Sequence, residues 1–233
     1  MFEGYFAAAS TGHEDAPKGE THVSTSSLKL YHAPQSRSVR PRWMLEEIGV
    51  PYELLRLDLR AGDQKKPEYL KLNPNGTVPT LVDGDVVVYE SAAIVQHLAD
   101  RFPEKRLAPA VGTLARGKYY QWVHYTMSAI EPPAVTIFLH TTGTPLGSPQ
   151  PERLPQLVPE ARAQAASAVK VVDDALAGKA YILGDDFSAA DVMIGSTLAW
   201  CMMLGMIGDD ARNVQAYLAR LASRPAFARA QAD

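Results

Sequence analysis

The fold is indicated most clearly by residues 73–102, which read NPNGTVPTLVDGDVVVYESAAIVQHLADRF. A cluster of turn residues opens this stretch. Two β-branched runs then flank Asp83-Gly84-Asp85, a pattern that is typical of a β-hairpin. After Ser91, apolar residues recur at helical spacing as far as Phe102. The stretch therefore predicts a loop, two antiparallel strands and a helix.

Two dipeptides in this stretch suggest a site for a peptide-like ligand. Pro79 is tolerated at the mouth of a strand and forces Val78 to be extended, so Val78 can offer its N–H and C=O as a short edge strand would. Glu90-Ser91 lies where a strand becomes a helix, and free N–H groups there favour a carboxylate. The Glu90 carboxylate can bind an ammonium group of the ligand. An amino-acid-headed peptide fits both features, although a plain hairpin with a capped helix explains them equally well.

The preceding residues predict the rest of a small sheet. Residues 28–32 alternate like a strand, a helix carrying Val39 to Ile48 ends at Gly49, and residues 52–59 read as a second strand. The resulting order, β-α-β-α-β-β-α, is thioredoxin-like and predicts a four-stranded mixed sheet. The redox Cys-x-x-Cys motif is absent, which excludes dithiol chemistry on this fold.

The second half of the chain carries no strand pattern. We expect an α/β domain at residues 28–103, a linker at 104–113 and an all-helical domain at 114–230. Pro132-Pro133 should kink or split the first long helix of that domain. Residues 192–208 carry no charge, and we interpret them as a buried core helix rather than a membrane span.

A capping box is predicted at the start of that uncharged helix. Ser188 is the N-cap and Asp191 lies three residues later, where its carboxylate can accept from the N-cap backbone. Phe187, just before the N-cap, and Val192, in the first turn, can form a hydrophobic staple. We assign Asp191 a structural role and no part in catalysis.

Composition limits the functional classes. The chain has 233 residues, of which 46% are apolar and 21% charged, and its net charge is −3. These values are ordinary for a globular protein. They show no excess of positive charge that would indicate binding to nucleic acid or to an anionic membrane. Cys201 is the only cysteine, which favours a reducing, cytoplasmic location. The six histidines lack metal-ligand spacing, so no metal is expected. Residues 1–27 lack secretory-signal features and are interpreted as a disordered leader.

The order of these motifs resembles the cytosolic glutathione transferase superfamily, over nearly the whole chain after residue 27. The resemblance implies a cis peptide between Val78 and Pro79 that pairs with the cysteinyl backbone of glutathione. It also implies that Glu90-Ser91 holds the γ-glutamyl head, that the protein is a homodimer and that a small hydrophobic electrophile is the second substrate. The Ser188–Asp191 capping box recurs in the helical domain of the same superfamily.

The segment Gln35-Ser36-Arg37-Ser38 lies between the first strand and the first helix. A thiol held there would be close to the positive end of the helix dipole and to the guanidinium group of Arg37 or Arg40, and both effects lower a thiol pKa. From the residues alone, Ser36 and Ser38 are helix caps. The resemblance to the Ser-type, bacterial and fungal-like branch implies instead that Ser36 activates the thiol, with Ser38 as the competing candidate.

Thr77 departs from the pattern of the family. Many relatives carry Lys or Gln at this position, where the longer side chain holds the glycine carboxylate of glutathione. Either a nearby cation such as Lys66 replaces it, or affinity is reduced, or the ligand differs. Two alternatives to a transferase therefore stay open: a glutathione-dependent lyase, dehalogenase or reductase on the same fold, and a non-catalytic binding protein.

Overall fold

A computed structural model describes residues 28–141, 143–144, 147, 149 and 152–232. The predicted leader at residues 1–27 lies outside these. Four strands, in the spatial order β2-β1-β3-β4, form one sheet in which β1 and β2 are parallel and the other pairs antiparallel. They are β1 (Leu28–His32), β2 (Tyr52–Arg56), β3 (Thr80–Asp83) and β4 (Val86–Tyr89). The predicted four-stranded mixed sheet is confirmed.

Nine α-helices lie within the described residues. In the first half they are α1 (Val39–Ile48), α2 (Pro67–Leu70) and α3 (Ser91–Arg101). In the second half they are α4 (Leu114–Tyr125), α5 (Glu131–His140), α6 (Val158–Leu176), α7 (Ala189–Met203), α8 (Arg212–Ala222) and α9 (Pro225–Gln231). The described helices are each too short or too polar to cross a membrane.

Strand register brings the candidate motifs to one edge of the sheet. Thr80, the first residue of β3, lies opposite Tyr31 near the end of β1 and opposite Tyr89 at the end of β4. The turn after β1, the segment before β3 and the residues after β4 therefore meet at this edge. These are the segments that contain Ser36, Val78-Pro79 and Glu90-Ser91.

The second strand is shorter than predicted. We expected residues 52–59, but β2 ends at Arg56. Asp58 ends the strand because its carboxylate accepts from the backbone N–H groups of Arg60 and Ala61, at 2.8 and 3.1 Å. Such a local side-chain bond offers the backbone an alternative to the sheet ladder.

Aromatic packing joins the sheet domain to the helical half. Trp43 of α1 is fully buried and its ring contacts Phe187 and Phe227, with centroids 5.8 and 4.8 Å apart. Phe227 belongs to α9, a helix that the sequence analysis did not predict. The two halves therefore share one core.

The predicted interruption near Pro132-Pro133 has a different form. Both prolines lie in the first turn of α5, where a missing N–H does no harm. The irregular geometry precedes them, as a π-helical segment at Thr126–Ile130. The prolines thus begin a new helix, and the change of geometry falls on their N-terminal side.

The capping box is confirmed, with Ser188 as the N-cap as predicted. α7 begins at Ala189, and Asp191 accepts from both the backbone N–H and the hydroxyl of Ser188, each at 2.8 Å. Its other oxygen accepts from the Ile182 N–H and the Tyr217 hydroxyl. Burial raises the pKa of Asp191 above its ordinary value, against the effect of these bonds.

Candidate active site

The turn between β1 and α1 presents two serines in different environments. Gln35 takes a left-handed φ of 56° immediately before Ser36. Ser38 occupies the N-cap position of α1 but is fully buried, and its hydroxyl makes no capping bond. The Ser38 Oγ instead accepts from the Ala33 N–H at 3.0 Å and lies 2.8 Å from Nδ1 of His32.

Ser36 is the serine that reaches the protein surface. It is half-buried, and its Oγ lies 2.7 Å from the Ala33 carbonyl oxygen and 2.7 Å from the Ser38 Oγ. It also accepts from the Ser38 N–H at 3.2 Å. Because Ser38 has no exposed surface, Ser36 is the one of these two serines whose hydroxyl a bound molecule can contact.

The segment before β3 presents an unpaired stretch of backbone. The Val78-Pro79 peptide bond is cis, as the resemblance implied. The Thr77 carbonyl accepts from the Tyr69 hydroxyl at 2.5 Å and from the Asn73 amide at 2.9 Å, so the entry to this segment is fixed. Within the described residues, the N–H and C=O of Val78 have no hydrogen-bond partner. A ligand backbone can therefore pair with Val78.

Glu90 and Ser91 differ in exposure. Glu90 is exposed and has a positive φ of 73°, which directs the chain from β4 into α3. Ser91 is buried, and its Oγ accepts from Nη1 of Arg40 at 3.1 Å. Ser91 is the first residue of α3, so its backbone N–H belongs to the helix N-terminus, where a negative group is favoured.

A buried charge cluster joins this edge of the sheet to the helical half. Nη2 of Arg40 donates to the Glu131 carboxylate at 2.6 Å, and Arg37 donates to the other oxygen of Glu131. Burial alone would raise the pKa of Glu131, but the two guanidinium charges and their hydrogen bonds outweigh it and hold that pKa below its ordinary value. Glu131 is therefore ionised at neutral pH.

The two guanidinium groups differ in exposure. Arg40 is buried, and burial lowers its pKa despite the Glu131 charge. The Arg37 side chain remains half-exposed while it contacts Glu131. Its free surface lies next to Ser36 in the chain, so it can still attract a negative group.

Lys65, rather than Lys66, lies against the turn that precedes Val78. Lys66 forms an ion pair with Asp63 at 2.7 Å, whereas Nζ of Lys65 donates to the Asn75 carbonyl at 3.3 Å. Gly76 has a positive φ of 58°, and a Cβ there would lie 2.7 Å from Nζ of Lys65. Glycine at this position lets the lysine approach the turn closely.

Sequence reasoning missed three residues of this region. His32 sits at the end of a strand with nothing to distinguish it from a core residue. Glu131 is 94 residues from Arg37, so no local pattern connects them. Lys65 and Lys66 are adjacent lysines that the sequence does not tell apart. The one available signal was the i,i+3 spacing of Asp63 and Lys66, which favours an ion pair that engages Lys66.

Two protein-family models match this chain, one in the half that contains the sheet and one in the helical half. Residues 26–100 match the model of the glutathione S-transferase N-terminal domain, and residues 155–220 match that of the glutathione S-transferase C-terminal domain. Glutathione S-transferase 3 of Zea mays is 32% identical over 206 residues, covering 86% of this chain and 91% of that protein. Glutathione S-transferase GstA of Escherichia coli O157:H7 is 29% identical over 201 residues, covering 85% and 94%.

Solved structures show the same likeness. The theta class glutathione S-transferase of Xanthomonas axonopodis pv. citri, with glutathione bound, matches with a TM-score of 0.77 and 30% identity. The match covers 89% of this chain and 98% of that one.

Proposed function

The chain belongs to the glutathione S-transferase family, and from that premise we propose that it binds glutathione along Val78 and ionises the glutathione thiol beside Ser36. Its similarity to enzymes of that name over most of its length supports transferase activity rather than binding alone. The observation that carries the proposal is that, of the two serines in the turn after β1, Ser36 is the accessible one, and it lies at the sheet edge where Val78 has no backbone partner among the described residues.

Glutathione pairs through its cysteinyl N–H and C=O with the backbone of Val78, beside Pro79. Its γ-glutamyl head lies at the start of α3, with the carboxylate at the Ser91 N–H and the ammonium beside Glu90. Arg40 supports this end because its bond to the Ser91 hydroxyl fixes the first turn of α3. The bound glutathione in the Xanthomonas relative supports the same ligand here.

Lys65 holds the glycine carboxylate of glutathione in place of the longer side chain that Thr77 lacks. Its ammonium already lies at the turn that leads to Thr77, while the ammonium of Lys66 is engaged with Asp63. A charge-assisted hydrogen bond of this kind contributes about 1.5–3 kcal/mol. Lys65 therefore restores the cation that the Thr77 position does not supply.

The Ser36 hydroxyl donates to the glutathione sulfur and favours the thiolate, because a hydrogen bond to the charged form stabilises it. The N-terminus of α1 and the exposed part of Arg37 act in the same direction. The thiol proton passes to solvent. The sulfur electron pair then forms a bond to an electrophilic carbon, and the leaving group departs with the electrons of the bond that breaks.

A small apolar electrophile fits beside Met127 of the π-helical segment. This side chain is half-buried, and its sulfur lies 3.6 Å from Nη1 of Arg40, so it faces the start of α1. π-Helical turns are frequent at functional sites. An assay panel of aryl halides, alkyl halides and disulfides identifies the class of electrophile.

The Ser36→Ala substitution tests the thiol-activation step. Loss of one charge-assisted hydrogen bond should raise the pKa of the bound thiol by about 1–2 units and lower kcat/KM for an aryl halide by about 10–100-fold at neutral pH. Glutathione affinity, measured by calorimetry, should stay within about twofold. Ser223→Ala, at an exposed serine after α8, is the matched control. An unchanged thiol pKa in the Ser36 variant refutes the assignment.

A homodimer completes the proposal. The edge strand β4 exposes Val86 and Tyr89, and α4 exposes Leu114 and Tyr120, which together supply apolar surface for a second copy. Analytical ultracentrifugation should report a dimer for the wild type and a shift towards monomer for Val86→Glu. We place the enzyme in the cytoplasm, since its sole cysteine, Cys201, can form no intrachain disulfide, which is usual in a reducing compartment.

A further inference from the structure

We propose that His32 is a positioning residue that acts through Ser38 to turn the Ser36 hydroxyl towards the glutathione thiol. This inference rests on the proposed function, because it explains how the Ser36 proton becomes available to sulfur. It gives a role to two buried side chains that cannot themselves contact the substrate.

Three side chains form a continuous chain of hydrogen bonds. The Ser36 Oγ lies 2.7 Å from the Ser38 Oγ, which lies 2.8 Å from Nδ1 of His32. Exposure falls along the chain: Ser36 is half-buried, whereas Ser38 is 0% and His32 is 1% exposed. The chain therefore leads from the candidate thiol site into the interior.

The direction of this chain is set by how many protons Ser38 can give. A serine hydroxyl has one proton and two acceptor positions. The Ala33 N–H already occupies one acceptor position of Ser38. If Nδ1 of His32 carries a proton, it fills the second, and the Ser38 proton is directed to the Ser36 Oγ or to the Ala33 carbonyl. Ser38 then has no acceptor position left for Ser36, whose own proton goes to the Ala33 carbonyl, 2.7 Å away, or to the sulfur of bound glutathione.

The opposite tautomer reverses the chain. If Nδ1 of His32 lacks a proton, it accepts the hydroxyl proton of Ser38. One acceptor position of Ser38 then remains open, and Ser36 donates into it. The Ser36 proton is thereby held inside the turn and away from the thiol. The tautomer of His32 consequently decides whether the Ser38 Oγ competes with sulfur for the Ser36 proton.

Arg42 favours the productive tautomer. Its Nη1 lies 3.4 Å from Nε2 of His32. A guanidinium only donates, so this contact favours a ring whose Nε2 accepts and whose proton resides on Nδ1. Arg42 is itself buried, and its Nη2 donates to the Ala232 carbonyl just after α9. The C-terminal helix therefore helps to hold the group that orients His32.

Variants at His32 and Ser38 test the relay. His32→Leu should raise the pKa of the bound thiol by about 0.5–1 unit, because an acceptor position of Ser38 is then open to the Ser36 proton. Ser38→Ala removes that acceptor and should not raise the pKa. Ultraviolet absorbance of the thiolate measures the pKa. His32→Asn should keep the wild-type value, because its amide nitrogen can occupy the place of Nδ1. His97→Leu, at a half-exposed histidine beside Asp83, is the matched control and should change nothing.

The outcomes separate the relay from the proposed function. If Ser36→Ala leaves the thiol pKa unchanged, the proposed function fails. If Ser36→Ala raises it while His32→Leu does not, the relay alone is refuted. Circular dichroism establishes that each variant is folded.

A measurement on the unaltered protein keeps the relay testable if the variants do not fold. Long-range nitrogen-15 NMR reports which ring nitrogen of His32 carries the proton. We expect the proton on Nδ1, in the presence and absence of glutathione. A neutral ring protonated on Nε2 overturns the inference.

Discussion

Replacing Glu131 by glutamine is expected to destabilise the protein by about 3 kcal/mol, because it leaves the buried Arg40 without a negative partner. The side chains of Arg40 and Glu131 are each 5% exposed. Removing one partner of a buried ion pair costs about 3–5 kcal/mol. We expect the lower end of this range because glutamine still accepts a hydrogen bond and the half-exposed Arg37 can turn to solvent.

Urea denaturation at neutral pH measures this loss as a lower midpoint at unchanged m-value. Asp174→Asn provides the control, since its pair with Lys170 is exposed on both sides and its removal should cause no measurable loss. The double variant Arg40→Met with Glu131→Leu should recover much of the stability, because a well-packed apolar pair can replace a buried ion pair.

Two results would refute the reasoning about this cluster. One is a Glu131→Gln variant as stable as the wild type. The other is a double variant that loses the sum of both single changes, which would mean that Arg40 and Glu131 contribute independently. Glutathione affinity should also fall in Arg40→Met, since Arg40 fixes the hydroxyl of Ser91 at the start of α3.

Three further results are expected. Gly195→Ala should destabilise the protein, because the added Cβ would clash with the buried side chain of Leu221 in α8. Gly117→Ala, in an open helical position, should stabilise the protein by up to about 1 kcal/mol, and thermal unfolding compares the two variants. The lowered pKa of Glu131 contributes stability that is present above about pH 4.5 and is lost as the pH falls through the folded-state pKa. The difference in the free energy of unfolding between wild type and Glu131→Gln should therefore become smaller in acid. Lys65→Gln should weaken glutathione binding by about 10-fold in calorimetry, and an equal effect of Lys66→Gln would contradict the choice between them.

Local sequence patterns were enough to predict the elements that carry the site. The Asp83-Gly84-Asp85 turn between β-branched runs gave the β3–β4 hairpin, and helical spacing after Ser91 gave α3. The Ser188–Asp191 box was also readable because its hydrogen bonds join residues three apart. Interactions between residues close in sequence determine these features, so the local sequence is enough to predict them.

Local patterns failed where distant contacts or local competition decided the outcome. β2 ended early because the carboxylate of Asp58 captured the following N–H groups. The helix α9 was missed because its short apolar pattern has meaning only against Trp43, on which Phe227 packs.

The sequence by itself determined the order of the elements, the two-part architecture and the segments that form the candidate site. Tertiary structure alone decided which serine is accessible, which lysine faces the turn and which charge pairs with Arg37 and Arg40. Exposure and pairing depend on what the remainder of the folded chain places beside a residue. Ser36 and Ser38 are two positions apart and carry the same hydroxyl, yet packing buries one and leaves the other at the surface.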